Sequence, residues 1–219
     1  FGDGRTREKV EVLAVSVLIP LAFIAGDAAL VLAVLVLSTI AVFAAHLLQV
    51  REGDASIAPV MGVVFGFVYI PLALSHFILV RRGSEGVVWI FFIIVLAFAG
   101  DIAAFYVGRT WGRRKLLPAV SPGKTEEGMY GLIAGSTIAC IVFQQIFLPQ
   151  LPVVHAAVLG CVGSIIGQLG DLCESAIKRA SGFKDSGALL PGHGGLLDRL
   201  DCLIFIVPFV YYYRTFLIA

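Results

Sequence analysis

The chain has 219 residues, 59% of them hydrophobic and only 14% charged, with a formal net charge of +1 and a mean hydropathy of +0.96. A soluble domain is nearer half apolar and a quarter charged, so too little polar side chain exists here to cover a water-facing surface. The composition points to an integral membrane protein, and the near-neutral charge argues against nucleic acid as a partner.

A helix needs about 20 apolar residues to cross the hydrocarbon of a bilayer. On that measure the sequence predicts spans at Val10–Ala25, Ala28–Val50, Ile57–Val80, Gly86–Gly108, Gly128–Pro149, Val153–Ile177 and Leu200–Leu217. Gly26 and Asp27 predict a tight turn between the first two, and the prolines of "LPQLP" bound the sixth. The chain opens on Phe1, so an N-terminal piece is expected to precede it and the number of spans is a lower bound. Cys140, Cys161, Cys173 and Cys202 fall within or beside apolar runs without metal-like spacing and read as small buried hydrophobes. His46, His76 and His155 have no acidic neighbours in sequence and read as structural. Placing the N-terminus inside and alternating sides leaves only Arg81, Arg82 and Arg214 outside, of 16 Lys and Arg residues. That bias puts the polar loops Arg109–Glu127 and Lys178–Arg199 together on the cytoplasmic face, where they can form one site.

Two carboxylates interrupt the spans. A charge in hydrocarbon is costly, so Asp101 and Asp171 are expected either to face a polar cavity or to bond between helices. Asp171, Glu174, Ser175 and Lys178 share one helical face that runs into the segment "SAIKRASGFKDSGALLPGHGGLLDRLD" (Ser175–Asp201). Gly160, Gly163, Gly167 and Gly170 form a small-residue stripe suited to close helix packing.

Pro191 and the glycines around His193 break any helix, leaving backbone N–H groups free just before Asp198 and Asp201 open the last span. Backbone donors and four cations favour an anion, while Asp171 and Asp198 offer hard oxygen ligands for Mg²⁺, Ca²⁺ or Mn²⁺. That combination suits a nucleoside triphosphate and implies phosphoryl or nucleotidyl transfer at a membrane surface. The loop "SPGKTEEG" carries Gly123, Lys124 and Thr125, yet Pro118 stands where a P-loop needs glycine and no strand is predicted before it. It reads as a basic phosphate-binding turn, with Ser121 and Thr125 hydroxyls as donors, or as a solvated loop.

The segment Ser175–Asp201 resembles the signature of the phosphatidate cytidylyltransferases, the CDP-diacylglycerol synthases. Its fixed positions are Ser175, Lys178, Arg179, Lys184, Asp185, Pro191, His193, Gly194, Gly195, Asp198, Arg199 and Asp201, all present here. "GDLCES", "SPGKTEEG" and "GDIAAFYVGR" are similar to further blocks, so the likeness covers about residues 98–210; Cys202 departs from an expected serine. The resemblance implies an all-α, polytopic membrane helix bundle with a cytoplasm-facing polar cavity, in the inner (plasma) membrane. It divides the chain into N-terminal spans (1–85) and a catalytic membrane region (86–219). The implied reaction joins CTP to phosphatidate with Mg²⁺, one cation or two, giving CDP-diacylglycerol and pyrophosphate. Asp171 and Asp198 are then the metal ligands, with Asp185 and Asp201 behind them. Lys178, Arg179, Lys184, Arg199 and Lys124 neutralise the triphosphate, and His193 donates to a phosphate. Asp101, Ser121, Gly123, Thr125, Ser175, Gly194 and Gly195 complete the expected substrate contacts. A homodimer and no nucleic-acid partner are expected. Rivals are an ether-lipid cytidylyltransferase or polyprenol kinase, and an ion-coupled transporter.

Overall fold

The apolar runs fold as helices in the computed structural model, which describes residues 3–50, 56–182 and 195–218, with side chains from residue 8 onward. In chain order these are α1 (Asp3–Ala25), α2 (Ala28–Leu47), α3 (Ala58–Phe67), a π-helical turn (Val68–Leu72), α4 (Ala73–Arg82), α5 (Gly86–Trp111), α6 (Glu126–Phe147), α7 (Val153–Ala180), α8 (Leu197–Tyr213) and a last π-helical turn (Arg214–Ile218). Two short strands, β1 (Lys115–Leu117) and β2 (Ser121–Thr125), pair between α5 and α6.

Six stretches among the described residues are long and apolar enough to cross a bilayer: Ala28–Leu47, Ala58–Arg82, Gly86–Trp111, Glu126–Phe147, Val153–Ala180 and Leu197–Ile218. The expected span at Val10–Ala25 is not among them. Its helix begins earlier, at Asp3, and carries Glu8, Lys9 and Glu11. From Val12 to Ala25 the apolar part reaches only about 21 Å, short of the ~30 Å hydrocarbon.

The chain divides into two units, Phe1–Leu79 and Val80–Ala219. In the first, Val15, Ile19 and Phe23 of α1 pack with Val42 of α2 and with Val60, Val63 and Phe67 of α3. The predicted turn forms: Gly26 takes φ 81°, open to glycine without strain, and the Asp27 carboxylate caps α2 by accepting the Ala29 N–H at 2.8 Å. Pro71 has no N–H to give, and it lies inside the π-helical turn that joins α3 to α4. The Ser75 hydroxyl donates to the Pro71 carbonyl at 2.6 Å, and His76 Nδ1 lies 3.0 Å from the Leu72 carbonyl. His46, which has no acidic neighbour in sequence, lines a small cavity together with Glu8 and Glu11 of α1.

In the second unit α5 and α6 pack most closely, followed by α6 with α7 and α7 with α8. The Ser136 hydroxyl of α6 donates to the Leu96 carbonyl of α5 at 2.8 Å, a buried tie between the two. The glycine stripe of α7 serves several neighbours rather than one. Gly160 lies against Thr137 of α6, Gly163 against Leu96 of α5 and Phe209 of α8, and Gly167 and Gly170 against α8. At Gly170 a side chain would sit 2.7 Å from the Asp201 carbonyl, so glycine lets the first turns of α8 seat directly on α7 beside Asp171. Cys140 and Cys202 are buried, as the sequence suggests; Cys161 is only partly covered and Cys173 is exposed.

Candidate active site

The loop between α5 and α6 is more ordered than its sequence predicts. Lys115 pairs with Thr125 and Leu117 with Ser121 in an antiparallel hairpin. The Glu127 carboxylate closes its base by accepting the N–H of Arg113 at 3.0 Å and that of Arg114 at 3.3 Å. Thr125 caps α6, its hydroxyl accepting the Gly128 N–H at 3.1 Å. A strand does precede Gly123-Lys124-Thr125, which corrects the expectation of none. The arrangement is still no P-loop, since Lys124 lies within a paired strand and Pro118 holds the glycine position. Pro122 and Gly123 are exposed, while Lys124 is half-buried and turns toward α7.

Its ammonium forms an ion pair with the Asp171 carboxylate of α7. Around that pair opens a cavity of about 370 Å³, walled by Ala104, Phe105, Gly108 and Arg109 of α5, by Gly123, Lys124 and Thr125, by Met129 and Leu132 of α6, and by Asp101, Gln168 and Asp171. Asp101 is exposed onto this cavity, so of its two expected settings the polar cavity is the one observed. Beside it Lys178 makes a second cluster, 2.5 Å from the Glu174 carboxylate and 2.6 Å from Asp198 at the start of α8. Asp198 also accepts the Gly195 N–H at 2.9 Å, so the signature's last glycine sets the entry to α8. The Asp201 carboxylate accepts the Cys202 N–H at 2.8 Å. Arg179 Nε donates to the Val120 carbonyl at 3.5 Å, tying the hairpin to the end of α7.

The structure thus gathers Asp101, Gly123, Lys124, Thr125 and Asp171 on one cavity, and Lys178, Asp198 and Gly195 in the adjoining cluster. Ser121 and Ser175 are half-buried outside the cavity lining, and Arg199 is exposed. Lys184, Asp185, His193 and Gly194 lie outside the described residues.

One participant, Gln168, escapes the sequence argument, and Glu174, placed by sequence on the polar face of α7, is more buried than that face suggests. Glu174 is 1% exposed, a buried carboxylate that Lys178 neutralises. Gln168 is 7% exposed and lines the cavity, three residues before Asp171 and so on the same helical face. The polar letter in "GQLGD" was the signal for it.

Asp171 and Asp198 already hold two ammonium groups, and their oxygens are the donor type a hard divalent cation takes. Among the described residues no three His, Cys, Asp or Glu side chains converge to hold a metal ion, so this pair fits one only if phosphate oxygens or water supply the other ligands.

A membrane helix bundle whose polar cavity joins a basic hairpin to a carboxylate-bearing helix belongs to a defined class. Residues 4–217 match the cytidylyltransferase family, and the chain is a member of it. It is 39% identical over 151 residues to the phosphatidate cytidylyltransferase of Bacillus subtilis (strain 168), covering 68% of this chain and 56% of that protein. It is 41% identical over 172 residues to the uncharacterized protein YnbB of Escherichia coli (strain K12), covering 75% and 57%. The phosphatidate cytidylyltransferase of Mycobacterium bovis is 35% identical over 148 residues, covering 68% and 48%. The chain spans about half the length of the curated relatives it matches.

Proposed function

We propose that the protein condenses CTP with phosphatidate, giving CDP-diacylglycerol and pyrophosphate for phospholipid synthesis. A phosphate oxygen of the lipid attacks the α-phosphorus of CTP, and the bond from that phosphorus to the oxygen bridging the β-phosphate breaks. The lipid phosphate is already anionic, so no strong base is needed. The barrier lies in joining two polyanions and stabilising the departing pyrophosphate. The observation that carries this reading is the meeting of Lys124, from the hairpin, with Asp171, at the head of the signature, on one cavity.

In this reading Lys124 and Arg109 receive the polyphosphate at the cavity, with Lys178, Arg179 and Arg199 as further positive charge. Asp171 and Asp198 hold Mg²⁺, which when bound neutralises phosphate oxygens. His193, Lys184 and Asp185 complete the site on the resemblance alone, as does assembly into a homodimer. The concentration of basic residues at the hairpin end supports a cytoplasmic orientation in the inner membrane. Cysteine placed at position 124 in a cysteine-free background is then labelled by an impermeant maleimide only from inside; labelling from outside reverses the orientation.

The test is incubation of the purified protein with CTP, Mg²⁺ and phosphatidate in detergent, following lipid product and pyrophosphate. Equal yields of the two are expected. Transfer to an ether lipid or a polyprenol but not to phosphatidate would assign a different acceptor. Ion flux in vesicles without nucleotide transfer would favour the transporter.

A further inference from the structure

We propose that the hairpin between α5 and α6 lies on the anionic headgroups of its own bilayer, held by Arg113, Arg114 and Lys115, and gathers acidic lipid beside the cavity. That the gathered lipid is also the substrate rests on the nucleotidyl-transfer reading above.

Two exposed aromatic rings mark where the headgroups lie. α5 and α6 both belong to stretches long enough to cross a bilayer, and the hairpin joins them. Trp111 ends α5 with 69% of its surface exposed, and Tyr130, near the start of α6, is 70% exposed. Such rings at the ends of membrane-crossing helices sit at the boundary between hydrocarbon and water. Arg113, Arg114 and Lys115 follow Trp111 within four residues, so at most about 14 Å of chain separates them from that level.

The three cations are exposed and little neutralised. Of the three, only Arg114 meets a carboxylate among the described residues, 4.0 Å from Glu126, and both side chains are open to water, where such a pair contributes little. Glu127 gives its oxygens to the backbone N–H groups of Arg113 and Arg114. Along β1, Lys115 and Leu117 share the exposed face, while Leu116 turns the other way. Leu117 is 42% exposed and leads into Pro118 and Ala119, also exposed. Cations followed by an apolar tip suit anionic headgroups with hydrocarbon beneath them: the charges draw the hairpin to the surface and the tip enters it. A second copy of this chain, docked face to face, would bring the same cations and repel them.

This surface adjoins the cavity. Lys115 pairs with Thr125 across the hairpin, about 5 Å away, and Thr125 lines the cavity with Lys124 and Gly123. An acidic lipid gathered on β1 therefore stands one strand from the cations of the cavity.

The experiment places a bimane fluorophore at Leu117→Cys in the cysteine-free full chain, in nanodiscs whose lipids carry nitroxide quenchers at headgroup depth. Nanodiscs of phosphatidylcholine alone are compared with nanodiscs in which phosphatidylglycerol replaces part of it. Quenching is expected to be severalfold stronger with phosphatidylglycerol. It should fall to the neutral-lipid level at high salt and in the triple variant Arg113→Gln, Arg114→Gln, Lys115→Gln. Each basic residue near an acidic surface is worth roughly a fivefold enrichment. In neutral mixed micelles the triple variant should therefore raise the phosphatidate fraction for half-maximal rate at least fivefold. Half-saturating CTP and kcat should stay unchanged, because none of the three side chains lines the cavity. A probe quenched alike in neutral and acidic nanodiscs, or unquenched in both, overturns the proposal. So does a triple variant quenched as strongly as the unsubstituted hairpin. A phosphatidate requirement that the triple variant leaves unmoved overturns the gathering of substrate. If that variant does not fold, the salt dependence of quenching decides. Quenching as expected in a protein that transfers no nucleotide upholds the docking surface and removes the nucleotidyl-transfer reading instead.

Discussion

The two ends of the unit Val80–Ala219 use similar polar side chains to opposite effect. At one end, Arg214 donates to the carbonyl and hydroxyl of Ser84 and lies 5.1 Å over the Trp89 ring. Gln150 donates to Glu85, His155 meets the Tyr213 hydroxyl at 3.0 Å, and Gln144 donates to the Leu151 carbonyl at 2.7 Å. Those contacts fasten the start of α5 to the end of α8 and close the turn from α6 to α7. At the other end Lys124 pairs with Asp171 on the lining of a cavity, and Lys178 pairs with Asp198 in the adjoining cluster. Closed polar contacts tie helices; paired charges beside open space are exchangeable, and a charged ligand can take either partner.

The largest expected effect breaks the open end at its carboxylates. Asp171→Asn and Asp198→Asn nearly preserve volume, so both proteins fold. Each is expected to lose turnover by orders of magnitude, since about 1.4 kcal/mol of transition-state stabilisation is already tenfold. The double variant should be scarcely worse if the two act as a unit. Near-wild-type turnover from either folded single variant ends the metal assignment.

Next in size is Lys124→Met. Deleting the ammonium removes a charge partner of the triphosphate, so the CTP concentration for half-maximal rate should rise about tenfold or more. It also frees Asp171 from its ion pair, so half-saturation by Mg²⁺ should move to lower concentration. An unchanged CTP profile would leave Lys124 as a counter-ion to Asp171 and nothing more.

How much of this was legible beforehand differs from residue to residue. The membrane runs declared themselves by apolarity, and among the described residues six helices are long and apolar enough to cross a bilayer; α1 is not among them, because its apolar letters after Glu11 end at Gly26. Asp171 stood out through its polar helical face and the signature beyond it. The hairpin did not, because strands as short as Lys115–Leu117 show no alternation and this one is fixed by a carboxylate from α6, Glu127. Gln168 gave a single polar letter, and only the structure shows that it lines the cavity. His46 looked isolated because Glu8 and Glu11, which line the same small cavity, belong to a helix more than thirty residues earlier. Spacing along one helix shows a shared face, whereas partners from another helix depend on packing that no local pattern encodes.

Glu174 sharpens the comparison by a smaller step, and with opposite sign to Lys124. Lying off the signature, it would seem a mild position; its burial says otherwise. Glu174→Gln removes one of the two carboxylates that share Lys178, so the ammonium binds Asp198 alone and more tightly. A cation must then displace a stronger partner, and half-saturating Mg²⁺ should rise severalfold. Loss of the buried charge-assisted contact should lower stability by about 1–3 kcal/mol, read from thermal or denaturant unfolding in detergent. A Mg²⁺ profile that does not move, or that moves downward, means Lys178 and Asp198 do not compete with the cation.

The smallest effect is expected at the closed end. Arg214→Ala deletes a two-point contact to Ser84 and the cation over Trp89, each a modest contribution at a half-exposed position. Stability should fall by about 1 kcal/mol, with KM for CTP, kcat and Mg²⁺ dependence all unchanged. Arg214→Lys separates the two contributions: a single ammonium can still donate to both oxygens of Ser84, as Nη2 alone does here, but it lacks the flat guanidinium face over the indole. If the lysine variant is as stable as the wild type, the Ser84 contacts dominate; if it matches the alanine variant, the ring contact does. A change in nucleotide kinetics from either substitution would mean that the two ends are coupled through α5 or α8. The division into a fastening end and a working end would then fail.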